Sequence, residues 1–363
     1  LLLEGEMSSV KVAVIGAGKF GEVHLKVFKQ LELSGTAELV AFATVKQEEI
    51  DRCEKVYGVK GFLDYREMLD SVETDAVTVV TPDFLHREIA VYAASCGKHV
   101  LVEKPLDVTV EGCTEIIEAA QRNNVLLQVD FHKRYDPDHI ALETAVREGR
   151  LGEILYGSCY MEDRIEVPVD WLPHWAPHGS PVWFLGSHFI DLVRWIIKSD
   201  GELVYATGSK KKLLGEFGID MYDSVSFKVV FKNGASFSFD VSWILPREFE
   251  SIVNQGLRIV GTKGLWEVDT QYRGTRSCTE AEGMRSWNNN FLREEKDKQG
   301  RTIYKGYGVD SIVDFAHNIQ FLKNGGSLDD LAGKYPSGYD GREVTRICEG
   351  IIKSLETGEL VRL

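Results

Sequence analysis

The chain of 363 residues is short of cysteine, of positive charge and of long apolar runs. Its six cysteines, at 53, 96, 113, 159, 278 and 348, never come within three residues of one another, which argues against a zinc ribbon or a redox dithiol and leaves them as free thiols. No metal site is expected. Lys plus Arg number 42 against 56 Asp plus Glu, a formal charge of −14, which excludes a general nucleic-acid binder because affinity for a polyanion needs a basic surface. No apolar run approaches the roughly 20 residues that span a bilayer. Leu1 to Val10 carries Glu4 and Glu6 where a secretory signal is basic, so a cytoplasmic location is expected, with Met7 as the native start. Hydrophobic residues at 44% and charged residues at 27% exclude disorder and suit two globular domains.

From Val10 to about Phe131, short β-branched runs alternate with stretches of helical period, the pattern of a parallel sheet with crossover helices. Val10–Ile15, Leu39–Ala43, Ala76–Val80, His99–Val102 and Val125–Phe131 read as strands. Glu22–Leu33, His86–Ser95 and Thr109–Asn123 read as helices, the last capped by Thr109. The later chain changes character. Val225, Phe227, Val229 and Phe231 alternate with more polar neighbours, Asn233-Gly234 supplies a hairpin, and Phe237, Phe239, Val241 and Trp243 resume the alternation, which makes an antiparallel sheet with one apolar face. Pro137–Glu148, Trp183–Ile197, Ile312–Leu322 and Arg342–Glu356 are expected to be helices covering that face, and Glu166–Pro181, with four of the nine prolines, a loop.

Gly16-Ala17-Gly18-Lys19-Phe20-Gly21 follows the first strand and opens the first helix, where glycines permit a tight turn and a close approach of pyrophosphate to the helix N-terminus. Cofactor binding outweighs a merely tight turn here. The second strand runs into Thr44-Val45-Lys46 without the terminal acid that holds a ribose 2′-hydroxyl in NAD sites. Thr44 can bond a 2′-phosphate and Lys46 can neutralise it, so NADP is favoured over NAD.

Thr81-Pro82-Asp83-Phe84-Leu85-His86, followed by Glu103-Lys104-Pro105, resembles the glucose-fructose oxidoreductase, inositol dehydrogenase and rhizopine catabolism (Gfo/Idh/MocA) family. Phe131–Pro137 is similar to that family's link out of the nucleotide domain, Leu151–Ile154 to its entry into the second, and Gly261–Gly264 to a hairpin there. The resemblance implies a doubly wound Rossmann domain at 8–132 and an α/β substrate-binding and oligomerisation domain at 133–363, with a large, mostly antiparallel open sheet covered by helices on one face. It also implies a cis bond before Pro105, a homodimer or homotetramer, and a polyhydroxylated small-molecule substrate. Lys104 is then the residue that polarises the substrate oxygen; Thr81, Pro82, Glu103 and Lys104 line the cofactor. His86 divides evenly between that role and helix capping.

The family's second signature, Asp-x-Gly-x-His-x-x-Asp, corresponds to Phe184–Asp191. His188 and Asp191 are kept, and Phe184 replaces the first acid. His188 is read as the general acid/base, with Asp191 one turn on taking over part of the orienting role. Arg134, Trp171, Trp175 and Trp183 are read as substrate residues, the aromatics of the proline-rich loop serving equally well as an interface. Asp130 is expected to pair with Lys133 or Arg134. The implied activity is hydride transfer between a nicotinamide and a secondary alcohol of a sugar, cyclitol or derivative. Its rivals are a redox-assisted, NAD-dependent glycoside-cleaving enzyme and a non-catalytic dinucleotide-binding sensor.

Overall fold

The computed structural model describes residues 9–172 and 179–363. The first stretch builds β1 (Val10–Ile15), α1 (Gly21–Glu32), β2 (Ala37–Ala43), α2 (Gln47–Tyr57), β3 (Lys60–Phe62), α3 (Tyr65–Ser71), β4 (Ala76–Val79), α4 (His86–Ser95), β5 (His99–Val102), α5 (Val110–Arg122) and β6 (Leu127–Val129). All six strands are parallel, in the order β3-β2-β1-β4-β5-β6, the Rossmann arrangement. Strands covered on both faces must be apolar throughout, and β4 is buried at every residue. Thr109 caps α5, its hydroxyl accepting from the Gly112 amide at 2.9 Å.

The second stretch builds α6 (Pro137–Arg147), β7 (Ile154–Arg164), α7 (Ser187–Ile197), β8 (Gly201–Ser209), α8 (Lys212–Phe217), β9 (Ser224–Phe231), β10 (Ser236–Leu245), β11 (Val253–Gly261) and β12 (Gly264–Asp269). Two small hairpins follow, β13–β14 (Arg276–Thr279, Gly283–Ser286) and β15–β16 (Arg293–Lys296, Thr302–Lys305). The chain closes with α9 (Tyr307–Lys323), α10 (Leu328–Leu331), α11 (Gly338–Thr357) and β17 (Val361–Arg362). The large sheet runs β12-β11-β7-β10-β9-β8-β17 and is mixed: β10 pairs with β7 in parallel, and its other neighbours are antiparallel. The alternation of β9 and β10 turns Phe227 and Phe239 inward, where their rings stack at 4.8 Å, with Trp243 fully buried on the same side. Asn233 and Gly234 make the turn, Gly234 at φ +87°. Against this inner face lies the later part of α11, where Ser354 accepts from the Ala206 amide at 2.9 Å.

Two compact units emerge, and the second domain expected at 133–363 is not continuous. One unit takes the chain to His132 together with Phe291–Arg342; the other takes Lys133–Asn290 and Glu343–Leu363. The reason lies in α9. Its Val309, Ile312, Phe315, Ala316 and Ile319 are buried with Val10, Val12, Leu25 and Phe28. This helix therefore completes the nucleotide unit's core and belongs to that unit, not to the one that holds the large sheet. Among the described residues, no helix is long and apolar enough to cross a membrane.

Candidate active site

The glycine loop is shaped by sterics. Gly16 holds φ +103°, and a Cβ there would lie 2.2 Å from the Val80 carbonyl oxygen; a Cβ on Gly21 would lie 2.0 Å from that of Gly16. Neither position accepts a side chain. A Cβ on Gly18 would meet nothing within 4 Å, so the middle of the loop opens outward at the start of α1, where first-turn amides suit an anion. Ala17 is buried and Lys19 exposed, while the Phe20 ring packs edge-on against His24 at 5.6 Å. Beside the loop, the Thr81 hydroxyl is buried with no hydrogen-bond partner among the described residues, a group that a ligand in this crevice would satisfy. A nicotinamide dinucleotide fits these features.

At the end of β2 the structure adds what the sequence reading lacks. Glu49, in the first turn of α2, accepts from the Thr44 hydroxyl at 2.5 Å and from Lys46 Nζ at 3.2 Å. An acid thus stands beside the very groups expected to take a 2′-phosphate. Arg52, one turn on, reaches the Ala17 carbonyl at 3.5 Å and pairs with Glu22. Neither Glu49 nor Arg52 was singled out by motif, because their placement depends on how α2 leaves the strand.

Lys104 follows β5 and is partly exposed; the Lys104–Pro105 peptide is cis. The Glu103 amide bonds Val79 and the Val80 amide bonds Ile15, so Lys104, Thr81 and the glycine loop share the carboxyl edge of neighbouring strands. Pro82 is exposed there. His86 opens α4 with its ring nitrogens 2.8 Å from the Pro105 carbonyl and 2.9 Å from that of Thr81. Burial holds this ring below the ordinary imidazole range, although both carbonyls favour the charged form. A neutral ring donates to only one of them. Its role in the structure is to tie two edge loops together.

Behind Lys104 lies a cluster that the sequence reading did not anticipate. His24, Glu103 and Asp130 are buried, and their ligand-type atoms lie within 4.8 Å of one another. His24 Nε2 is 3.3 Å from Glu103 Oε1 and 3.7 Å from Asp130 Oδ2, and Ser311 Oγ donates to Asp130 Oδ1. Burial lowers His24 to about 4 and raises both carboxyls, Asp130 the more, since Glu103 adds its charge. Asp130 therefore pairs with this cluster, and the pairing expected with Lys133 or Arg134 gives way. His132, next along, stacks on Tyr307 at 5.8 Å.

In the other unit, Arg134 donates to both carboxylate oxygens of Asp191, at 2.8 and 2.5 Å, with the aspartate fully buried. Lys133, also buried, reaches Gln255 and lies 4.8 Å from the Phe189 ring centroid. His188 occupies the first turn of α7, 7% exposed, one turn before Asp191. A wide turn over Val182–Gly186 leads into that helix, burying Trp183 and leaving Phe184 beside Trp243 at 6.2 Å. An aromatic contact thus replaces the missing acid. Trp171 is 41% exposed, and Trp175 lies outside the described residues.

Comparison with known proteins agrees with this fold. The model of the Gfo/Idh/MocA oxidoreductase family, with NAD-binding Rossmann fold, matches residues 10–131, and that of the family's C-terminal domain matches residues 139–267. The chain is 26% identical over 360 residues to a myo-inositol 2-dehydrogenase of Thermotoga maritima, covering 98% of each chain. Among solved structures it resembles the apo scyllo-inositol dehydrogenase of Lactobacillus casei, with TM-score 0.80, 20% identity and 98% of each chain covered. The same enzyme with bound NAD(H) and scyllo-inositol matches with TM-score 0.75 and 19% identity, over 98% of this chain and 99% of that one. The chain belongs to the Gfo/Idh/MocA family and is an NAD(P)-dependent oxidoreductase acting on alcohol groups.

Proposed function

We propose that the protein transfers hydride between a nicotinamide and a secondary alcohol carbon of a cyclitol or closely related sugar, with Lys104 on the substrate oxygen and His188 exchanging its proton. The observation that carries this reading is the position of Lys104 at the strand edge that also bears the open glycine loop and the orphaned Thr81 hydroxyl. A bound dinucleotide supplies the hydride acceptor. Gly16, Gly18, Gly21 and the first turn of α1 hold its phosphates, and Thr81 and Pro82 flank it. The ammonium of Lys104 stabilises negative charge on the substrate oxygen as hydride leaves the adjacent carbon, an interaction stronger in the transition state than in the ground state. Arg134, fixed by Asp191, and the aromatic Trp171 and Trp183 contribute to substrate binding. The cyclitol class is supported by the relatives, an inositol dehydrogenase along the whole chain and a structure holding scyllo-inositol.

Thr44 and Lys46 taken alone favour NADP. Glu49 reverses that weighting, because a carboxylate that already holds both groups repels a 2′-phosphate and accepts from a 2′-hydroxyl. NAD is the cofactor this arrangement favours.

Replacing Lys104 by Ala tests the reading: cofactor affinity should stay within a few-fold while turnover collapses, and turnover surviving within a factor of about ten would sink it. One observation favours a second reading of the proton step. Phe184 leaves an aromatic contact where an acid would orient His188, so that Lys104 handles the proton and His188 only positions the substrate. A raised KM with an unchanged shape of the pH profile in H188N would select it. Tyr156, Tyr160 and Tyr205, exposed on strands of the large sheet, support pairing between copies of the chain, to be read by light scattering.

A further inference from the structure

The group behind Lys104 poses a charge problem. Glu103 leaves the end of β5, Asp130 the end of β6, His24 comes from α1 and Ser311 from α9. Two ionised carboxylates within 4.8 Å, both buried, have among the described residues no cation beside them except Lys104, the next residue in the chain, because an imidazolium at His24 would leave its buried, partnerless Nδ1 with an unsatisfied N–H. Two carboxylates cannot bond each other unless one bears a proton. The hydrogen-bond pattern tells which. Glu103 accepts from the Lys104 backbone amide and, with the His24 hydrogen assigned to Nε2 because its buried Nδ1 has no partner among the described residues, from that ring as well, and so has the surroundings of an anion. Asp130 has one donor, Ser311, on Oδ1, while its buried Oδ2, 3.7 Å from His24 Nε2, has no hydrogen-bond partner among the described residues.

We propose that Asp130 is a neutral carboxylic acid whose proton is donated to Glu103, so that the cluster holds one buried anion, at Glu103, and that this anion keeps Lys104 in its ammonium form. Asp130 and His24 are positioning residues: they act on the reaction through Glu103 and Lys104. The inference rests on the proposed role of Lys104, but its first test does not. Among the described residues the polar and charged groups that act on the two carboxyls are His24, Ser311 and Lys104, and none of them competes for the role of acid. Ser311 and neutral His24 donate, and Lys104 supplies the positive charge that favours an ionised Glu103.

The direct test is infrared spectroscopy of the full-length protein at pH 8, with and without ¹³C-labelled aspartate. A protonated carboxyl band that shifts with the label and disappears in D130N is expected; a spectrum without it overturns the proposal. The second test is the pH profile of kcat/KM. Removing the anion in E103Q should move its alkaline limb to lower pH by about one unit or more, as expected when an opposite charge close to a lysine is lost. A limb that stays in place while activity falls equally at every pH means a structural role only and overturns the link to Lys104. Stoichiometric divalent metal in the purified protein, abolished in D130N, would assign the cluster to a cation and overturn the shared proton. If K104A shows that the alkaline limb does not belong to Lys104, the reading of Lys104 fails while the infrared band still decides the state of Asp130.

Discussion

Asp191→Asn isolates the buried ion pair that anchors the first turns of α7. Arg134 donates to both aspartate oxygens; its side chain is 9% exposed and that of Asp191 0%. Replacing the carboxylate by an amide leaves a guanidinium buried beside a group that cannot neutralise it, a loss of about 3–5 kcal/mol when one partner of a buried pair is removed. With domain stabilities of about 5–15 kcal/mol, such a loss consumes a large share of the total and shifts a urea midpoint by roughly 1–3 M. Trp195, whose ring lies 6.0 Å from the Arg134 guanidinium, gives a local fluorescence signal for the unfolding curve. The double variant R134M/D191L removes both charges and should recover much of the loss, giving a coupling energy in a double-mutant cycle. The kinetic arm asks a separate question. If Asp191 serves His188 as their spacing suggests, kcat of the folded D191N protein falls; if it serves only to fix Arg134 for substrate, KM rises with kcat little changed. A stability loss below about 1 kcal/mol in D191N would refute the reasoning, because it would mean that the pair is not desolvated.

Glu49→Gln should shift the ratio of NADPH to NADH affinity upward by about tenfold, one charge-assisted interaction lost for the ribose and one repulsion removed for the phosphate; isothermal titration with both cofactors reads it, and an unchanged ratio excludes Glu49 from selection. His139 is buried, its Nδ1 2.9 Å from the Lys133 carbonyl, and burial lowers it to about 4. A histidine depressed in the folded state takes up a proton on unfolding, so its contribution is lost as pH falls from about 6.5 to about 4, at about 1.4 kcal/mol per unit. Thermal melts of H139Q should therefore decline less with acid than those of the wild type across that window, and parallel curves would contradict the assignment.

The parallel sheet was legible because β1, β2, β4 and β5 are mostly apolar and its helices open on punctuation such as the glycine loop and Thr109. Strand β3 was not, since Lys60-Gly61-Phe62 is too short to show a period, and α2 was not, since only Ile50 and Cys53 of its face are buried. The return of α9 to the nucleotide unit depends on which of two apolar faces a helix meets, and amphipathic spacing alone does not say. The same limit applies at the site. Glycine loop, Lys104 and His188 stand in motifs, whereas Glu49 lies five residues beyond Thr44 and is recognisable only when α2 turns it back. His24 reads as one polar residue on the buried face of α1. Only the fold brings it to Glu103 and Asp130 from three separate elements.

The most direct test of the account follows the hydride itself. Myo-inositol, scyllo-inositol and glucose deuterated at their carbinol carbons are incubated with NAD and the wild-type protein or K104A, and the reduced nicotinamide is examined by mass spectrometry. The account predicts deuterium in the NADH formed from at least one cyclitol by the wild type and none above background with K104A. Saturable NAD binding with no deuterium transferred from any of the three would contradict it.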